Sequence, residues 1–156
     1  MGAGDVVGES NELITIERVA ALQRVALFRD VPGHTLVAVA RLLEEVSFEI
    51  GDRIIEQGTV EDWLFVVATG RVRVHRGERT LVESGPGSVV GELAVLAPAP
   101  RSASVTAIEP SLLLRLRHGP FDELLDDRPE IARGVITTLA RLLQGGSDDG
   151  AEAERL

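Results

Sequence analysis

The sequence predicts a mainly β domain, an antiparallel sandwich or roll, with helices before it and two helices after it. From residue 46 to residue 117 the apolar residues alternate with polar ones or form short β-branched runs. Glycines separate these runs at the spacing of turns. On either side of this region, apolar residues recur at helical spacing instead. A chain of 156 residues can build one good core and is short for two domains.

Two short helices are predicted ahead of the strands. The first spans residues 14–24, where the apolar positions suit an amphipathic helix. Pro32 and Gly33 then interrupt the chain. A second helix follows, because apolar residues return at helical spacing at Leu36, Val39, Ala40 and Leu43. Residues 1–12 are small, polar and acidic, and they are predicted to be disordered.

Short strands follow one another through the middle of the chain. They are predicted near residues 46–49, 53–57, 63–69, 71–76, 79–84, 102–108 and 111–117. Glycine adopts a positive φ at little cost, so the glycines between the strands mark the turns. Residues 92–96 are too few and too helical in character to form another strand.

Helical character returns after Arg117, with one helix predicted over 118–126 and another over 129–144. Pro129 suits the first turn of the last helix. The apolar stripe of that helix is expected to dock on the roll, or else to form a dimer seam. Residues 145–156 are predicted to be a disordered acidic tail, so the folded domain is predicted to span 13–144.

Composition argues against several classes of protein. The net charge is −9, and each acidic end contributes −3, so the middle of the chain carries −3. No basic patch stands out, which argues against direct nucleic-acid binding. The chain has no cysteine, no apolar run near the ~20 residues that cross a bilayer, and no signal-peptide pattern at its start. We therefore expect a cytoplasmic protein, or the cytosolic part of a membrane-associated one, without direct membrane insertion.

Enzyme and metal chemistry find no support in the residues. A cupin-type metal site needs clustered histidines, whereas His34, His75 and His118 fall on separate predicted elements and are expected at the surface. No GxSxG motif or Ser–His–Asp set is evident. We therefore expect no catalytic residue, no metal and no cofactor. Trp63 lies in a strand and is expected in the core.

The candidate site is the segment of residues 91–105, GELAVLAPAPRSASV. Glu92 begins a short apolar turn, and Arg101 follows nine residues later in surroundings that look buried. Burying a charge is costly unless a partner compensates it. A sugar phosphate would compensate both charges, because a carboxylate accepts from a hydroxyl and a guanidinium donates to a phosphate. From these two charges alone, a salt bridge across a turn is the alternative.

The same segment resembles the phosphate-binding cassette of cyclic nucleotide-binding domains, such as those of protein kinase A regulatory subunits and the catabolite activator protein. The family pattern is FGE-L/M-A-L, a short spacer, then PR-x-A-x-V. This chain has VGELAVL, the spacer APA, and PRSASV, with Val90 in place of the usual Phe. The resemblance extends over residues 25–144. We call residues 91–105 the cassette.

The resemblance implies an antiparallel β-roll of the jelly-roll type, a double-stranded β-helix, and it implies roles for single residues. Glu92 would bind the ribose 2′-hydroxyl and Arg101 the cyclic phosphate. Backbone N–H groups of Ala94, Ser102 and Ala103 would complete the phosphate cradle, and Gly91 would allow the ribose to approach. The implied ligand-binding residues are Gly91, Glu92, Leu93, Ala94, Arg101, Ser102 and Ala103.

The function implied by the resemblance is that of a regulatory sensor without catalysis. Its ligand would be a cyclic purine nucleotide, cAMP or alternatively cGMP. The choice between the two stays open, because a residue such as Ser102 after the arginine can contact a purine base. Its partners would be an effector domain or protein outside this chain and a second copy through residues 129–144. An alternative is a constitutive interaction or dimerisation module of the same fold, in which Glu92 and Arg101 pair with each other.

The implied mechanism is a shift of population between two arrangements of the C-terminal helices. Leu93 and Leu96 of the cassette would reposition the helices 120–126 and 129–144. The apolar hinge surface would consist of Phe121, Leu124 and Leu125. No aromatic residue follows Phe121, so the candidates for capping the base are Thr137, Thr138, Leu139 and Leu142.

Overall fold

The central part of the chain folds into two antiparallel sheets that enclose a roll, as expected. The structure is a computed structural model and describes residues 5–6 and 12–145. The strands are β1 (Asp5–Val6), β2 (Glu44–Phe48), β3 (Arg53–Ile55), β4 (Val60–Glu61), β5 (Trp63–Thr69), β6 (Val72–Arg76), β7 (Arg79–Ser84), β8 (Val89–Val90), β9 (Ala99–Pro100), β10 (Ser104–Ala107) and β11 (Ser111–Arg117). The larger sheet has the order β1-β2-β11-β5-β8 and the smaller one β3-β10-β6-β7, while β4 and β9 form a short ribbon.

Two helices precede the main strands of the roll in the chain, and two follow them. They are α1 (Glu12–Gln23), α2 (Leu36–Ala40), α3 (His118–Asp127) and α4 (Pro129–Gln144). Shorter 3-10 helices lie at Ala26–Phe28, Gly33–Thr35 and Glu92–Val95. Among the described helices, none combines the length and the apolar character needed to cross a bilayer.

Strand β5 shows why the core divides into two parts. Leu64 and Val66 face the helices, whereas Phe65 and Val67 face the interior of the roll. Because both faces of this strand are covered, its sequence is a continuous apolar run and not an alternating one. The roll interior is otherwise filled mainly by valines and other aliphatic residues of the two sheets.

A buried ion pair fixes α1 against the roll. The Nη2 atom of Arg18 lies 2.7 Å from Oε2 of Glu45 on β2, and both side chains are buried. The Nη1 atom of Arg18 also donates to the carbonyl oxygen of Leu43 at 2.9 Å. The helix is therefore attached to the start of β2 by a charge as well as by its apolar face.

The last helix packs mainly on the N-terminal turn, which we define as residues 26–31, and on α3. A Cβ added to Gly134 would lie 2.8 Å from the carbonyl oxygen of Asp30, so helix and turn approach as closely as a glycine allows. The Asp30 N–H donates to the Thr138 hydroxyl at 3.2 Å, and the Asp30 carboxylate pairs with Arg141 at 3.2 Å. We expected α4 to dock on the roll, and this expectation is wrong. The main partner of α4 is the N-terminal turn, which lies between the helix and the roll.

The predicted strands and C-terminal helices are confirmed to within a few residues at their ends. The two-residue strands β1, β4, β8 and β9 were not expected, because two residues carry no periodicity. Asp5 pairs with Ser47 and Val6 pairs with Val46 of β2. Glu12, the last residue of the predicted disordered N-terminus, is the first residue of α1. The other residues of that segment, and the predicted tail beyond residue 145, lie outside the described residues.

The expectation that all three histidines lie at the surface is wrong for His75. This side chain is buried on β6, where Nδ1 lies 2.7 Å from the carbonyl oxygen of Gly77 and Nε2 lies 2.7 Å from the Thr106 hydroxyl. Its two ring nitrogens thus connect the turn between β6 and β7 to β10. His34 is exposed and His118 is half-buried.

Candidate functional site

The cassette connects β8 to β10 across the end of the roll. It begins at Gly91, whose φ of 74° lies in the left-handed region that favours glycine. The 3-10 helix Glu92–Val95 follows, as the short helical segment in the sequence predicted. Strand β9 then pairs with β4, and β10 carries the chain back into the smaller sheet.

Arg101 is the most constrained side chain of the cassette. It is 5% exposed, and its Nε donates to Oε1 of Glu61 at 3.3 Å. Its Nη2 donates to the backbone carbonyl of Trp63. The backbone of Arg101 is held as well, because its N–H donates to the carbonyl of Thr59 at 2.9 Å. The segment of residues 59–63 therefore fixes both the main chain and the guanidinium of this arginine.

Gly91 makes room for that guanidinium. A Cβ built on Gly91 would lie 1.9 Å from Nη1 of Arg101 and 2.6 Å from its Cζ. Any other residue at this position would displace the arginine and would also strain the backbone. The family pattern places a glycine here, and the structure supplies two separate physical reasons for it.

The electrostatics of Arg101 are set by burial and by one carboxylate. Burial lowers the pKa of Arg101 from its ordinary value, and the negative charge of Glu61 opposes that change, with a smaller contribution from Asp62. An arginine starts from so high a pKa that it remains a cation at neutral pH. The site therefore presents a positive charge in a setting where water screens it weakly.

Glu92 is also buried, at 3% exposed, and it reaches the N-terminal turn. Its Oε2 accepts a hydrogen bond of 2.6 Å from the backbone N–H of Leu27. Sequence analysis predicted a ligand-binding role for this carboxylate but gave no sign of this attachment, which joins positions 65 residues apart. The cassette is thus connected to the N-terminal turn through the side chain that the resemblance assigns to the ribose.

The smaller residues of the cassette differ in their surroundings. Ala94 and Ala103 are buried, whereas Ser102 is exposed and Leu93 is 45% exposed. The N–H of Ala94 donates to the carbonyl of Gly91 at 3.1 Å, so in this structure it is engaged within the 3-10 helix instead of lying open to a phosphate. One part of the core lies between the helices and the larger sheet, and we call it the helical core. Val95 and Leu96, and not Leu93, are the cassette side chains that pack in it.

Sequence reasoning missed two residues that shape the site. Glu61 and Trp63 hold Arg101, yet in the sequence Glu61 looks like an ordinary residue before a strand and Trp63 like a core residue of that strand. Trp63 is half-buried rather than fully in the core, and the guanidinium groups of Arg115 and Arg117 lie 5.5 and 5.6 Å from its ring centre. Such contacts depend on strand register, which only the folded chain reveals.

The residues predicted to cap a base lie on α4, away from the cassette in sequence. One of them, Thr138, is bound to Asp30 of the N-terminal turn. A cavity of about 500 Å³ lies elsewhere, between α1 and the larger sheet, and its walls include Ala21, Ala68 and Leu112. Its lining contains no cassette residue, so charge and geometry, and not cavity size, single out the cassette. Among residues 5–6 and 12–145, no group of three or more metal-binding side chains could hold an ion.

Comparison with known proteins concerns the same part of the chain. Residues 45–128 match the model of the cyclic nucleotide-binding domain, and this stretch includes the cassette and Glu61. This chain belongs to the cyclic nucleotide-binding domain family. The matched residues exclude the N-terminal turn and α4, so the family assignment rests on the roll, the cassette and α3.

Curated relatives include regulators of two kinds. A CRP-like cAMP-activated global transcriptional regulator of Mycobacterium tuberculosis is 28% identical over 136 residues, which cover 84% of this chain and 61% of that protein. A cAMP-dependent protein kinase regulatory subunit of Yarrowia lipolytica is 31% identical over 129 residues, which cover 80% of this chain and 34% of that protein. The chain thus spans less than two thirds of the length of these relatives.

Two solved structures resemble this chain in sequence as well as in fold. The N-terminal domain of a transcriptional regulator from Streptomyces coelicolor A3(2) has a TM-score of 0.75 and 32% identity, covering 80% of this chain and 91% of that one. The regulatory domain of Toxoplasma gondii PKA, crystallised with cAMP, has a TM-score of 0.68 and 29% identity, covering 75% of this chain and 46% of that one.

The role of Glu61 can be tested through stability. Glu61→Ala leaves the buried guanidinium of Arg101 without its carboxylate, so we expect the free energy of unfolding to fall by about 3 kcal/mol. Glu56→Ala is the matched control, because its pair with Arg53 is exposed and should contribute at most about 1 kcal/mol. Urea denaturation of both variants measures the difference. Equal losses would show that Glu61 does not stabilise Arg101.

Proposed function

We propose that this domain is a regulatory sensor that binds a cyclic purine nucleotide, with cAMP preferred over cGMP, and that it controls an effector outside this chain. The observation that carries the proposal is the buried guanidinium of Arg101, held over Gly91 within a family cassette. A buried cation fixed in this way is a preorganised partner for a phosphate.

The phosphate would bind at the Nη1 end of the Arg101 guanidinium. A guanidinium has five N–H donors in a rigid plane. Glu61 and Trp63 engage its Nε and Nη2 from the β4–β5 side and so orient the plane. The Nη1 donors would then meet the phosphate oxygens, while the absence of a side chain at Gly91 leaves room for the guanidinium itself.

The ribose would bind at Glu92, which follows Gly91 in the chain. A carboxylate accepts several hydrogen bonds, so its contact with the Leu27 N–H is compatible with a further bond from the ribose 2′-hydroxyl. Phosphate and hydroxyl are therefore recognised by neighbouring parts of one segment, which is the arrangement that a cyclic nucleotide requires.

The preference for cAMP draws support from the relatives. The mycobacterial relative is described as cAMP-activated, and the Toxoplasma domain was crystallised with cAMP. The effector would differ in kind among such proteins, because this chain is similar both to a transcriptional regulator and to a kinase regulatory subunit. Binding would act by shifting the population of helix arrangements, since Val95 and Leu96 connect the cassette to the helical core.

Calorimetric titration tests the phosphate role of Arg101. With cAMP, cGMP and 5′-AMP as ligands, we expect heat from the cyclic nucleotides and a weakening of cAMP binding by about 2–5 kcal/mol in Arg101→Ala. Arg101→Lys keeps the charge but loses the planar fork, so it should weaken binding while preserving the fold. Arg53→Ala removes an exposed arginine and is the control.

An unchanged affinity in Arg101→Ala would refute the assigned role. No heat with any cyclic nucleotide, in folded ligand-free protein, would refute the sensor and favour an interaction module of the same fold. In such a module the ion pair between Arg101 and Glu61 would hold this segment in place.

The ribose role of Glu92 predicts discrimination against 2′-deoxy-cAMP. The lost charge-assisted hydrogen bond should weaken binding by about 1.5–3 kcal/mol in the wild type. In Glu92→Gln the two ligands should bind more nearly alike, because the charge that strengthens the bond is gone. Equal affinity of the wild type for cAMP and its 2′-deoxy analogue would rule out this contact.

We further propose that two copies associate through the outer face of α4. Ile136 and Leu143 lie seven residues apart on this helix and are 65% and 84% exposed. Leu143→Glu should then convert a dimer to a monomer in sedimentation velocity. Ile16→Glu alters an equally apolar exposed position on α1 and should leave the dimer intact. A wild type that sediments as a monomer at high concentration contradicts the proposal.

A further inference from the structure

His118 stands where the cassette meets the C-terminal helices. It is the first residue of α3 and is half-buried. Its Nδ1 lies 2.7 Å from the carbonyl oxygen of Val95, the last residue of the cassette 3-10 helix. Because a carbonyl oxygen can only accept, Nδ1 carries the proton and donates it to Val95.

The main chain of the same residue is attached to the segment that holds Arg101. The backbone N–H of His118 donates to the carbonyl of Asp62 at 2.7 Å. Asp62 lies between Glu61 and Trp63, which both bind the guanidinium of Arg101. One residue is therefore joined to the support of the phosphate-binding arginine by its backbone and to the cassette by its side chain.

We propose that His118 is a positioning residue that makes the start of α3 follow the 3-10 helix of the cassette. A regulatory role for His118 rests on the proposed function. The link between His118 and Val95 can be measured without any ligand. If the cassette moves relative to β4 and β5, the strain falls on His118, because the residue is bonded to both sides. α3 begins at this residue, so it would receive that movement directly.

Apolar packing alone would not give the same coupling. Val95 is fully buried beside Phe121 and the other residues of the helical core. Such contacts are non-directional, and side chains can slide past one another with little change in buried area. A hydrogen bond loses its strength when its length or angle changes, so the His118 contact defines one relative position of cassette and helix.

Matched variants separate the donor from the shape of the side chain. His118→Asn places an amide nitrogen as many bonds from Cα as Nδ1, so it can still donate to Val95. His118→Gln carries its donor one bond farther out, and His118→Leu has no donor but retains bulk. Thermal unfolding establishes that each variant folds. If His118→Leu does not fold, His118→Gln takes its place in the comparison with His118→Asn.

Hydrogen exchange on the full chain measures the link in the absence of ligand. In His118→Leu we expect amides of residues 92–97 to exchange about tenfold faster, as for the loss of one hydrogen bond, and His118→Asn should remain close to wild type. If Asn and Leu exchange alike, the donor has no positioning role and the inference is overturned.

The same measurement with saturating cAMP tests the regulatory meaning. Wild type and His118→Asn should show a ligand-dependent change in the protection of residues 118–144, and His118→Leu should lose most of it while binding cAMP within about tenfold of wild type. A full change in His118→Leu would overturn the coupling. A wild type that binds no cyclic nucleotide refutes the proposed function, whereas the ligand-free comparison still decides the link.

Discussion

The buried guanidinium of Arg101 is the constraint on which the site depends. Placing this charge inside the protein is tolerable only with a carboxylate beside it and with carbonyl oxygen to receive its protons. Glu61 and Trp63 meet these needs, and the β4–β9 ribbon brings them within reach. Gly91 then follows as a steric necessity, because a Cβ at that position would coincide with the guanidinium.

The 3-10 helix Glu92–Val95 is short, but both of its ends are bonded to flanking elements. Its first residue binds the N-terminal turn through Leu27, and its last residue accepts a hydrogen bond from His118 of α3. The N-terminal turn in turn contacts α4 through Asp30, at the notch formed by Gly134. The N-terminal turn and α3 therefore both bind the 3-10 helix of the cassette, and α4 is connected to it through the N-terminal turn.

Much of this arrangement follows from local sequence patterns. The period of two predicted the strands, the glycines predicted the turns, and the cassette segment indicated that the charges of Glu92 and Arg101 are buried. Glu61, Trp63 and Leu27 were not predicted, because their partnership with the cassette depends on register and on chain paths 38 to 65 residues long. The contact surface of α4 was wrongly predicted for a related reason: an apolar stripe indicates that a helix face is buried but not what covers it.

Trp63 gives the protein a built-in spectroscopic probe. It is the single tryptophan of a chain that has no tyrosine. Absorption and fluorescence beyond the phenylalanine bands therefore come from one indole, whose ring faces Arg115 and Arg117. The backbone carbonyl of the same residue accepts a hydrogen bond from Arg101. The fluorescence of this protein therefore reports on the surroundings of Trp63, beside the residues that hold Arg101, and no label has to be introduced.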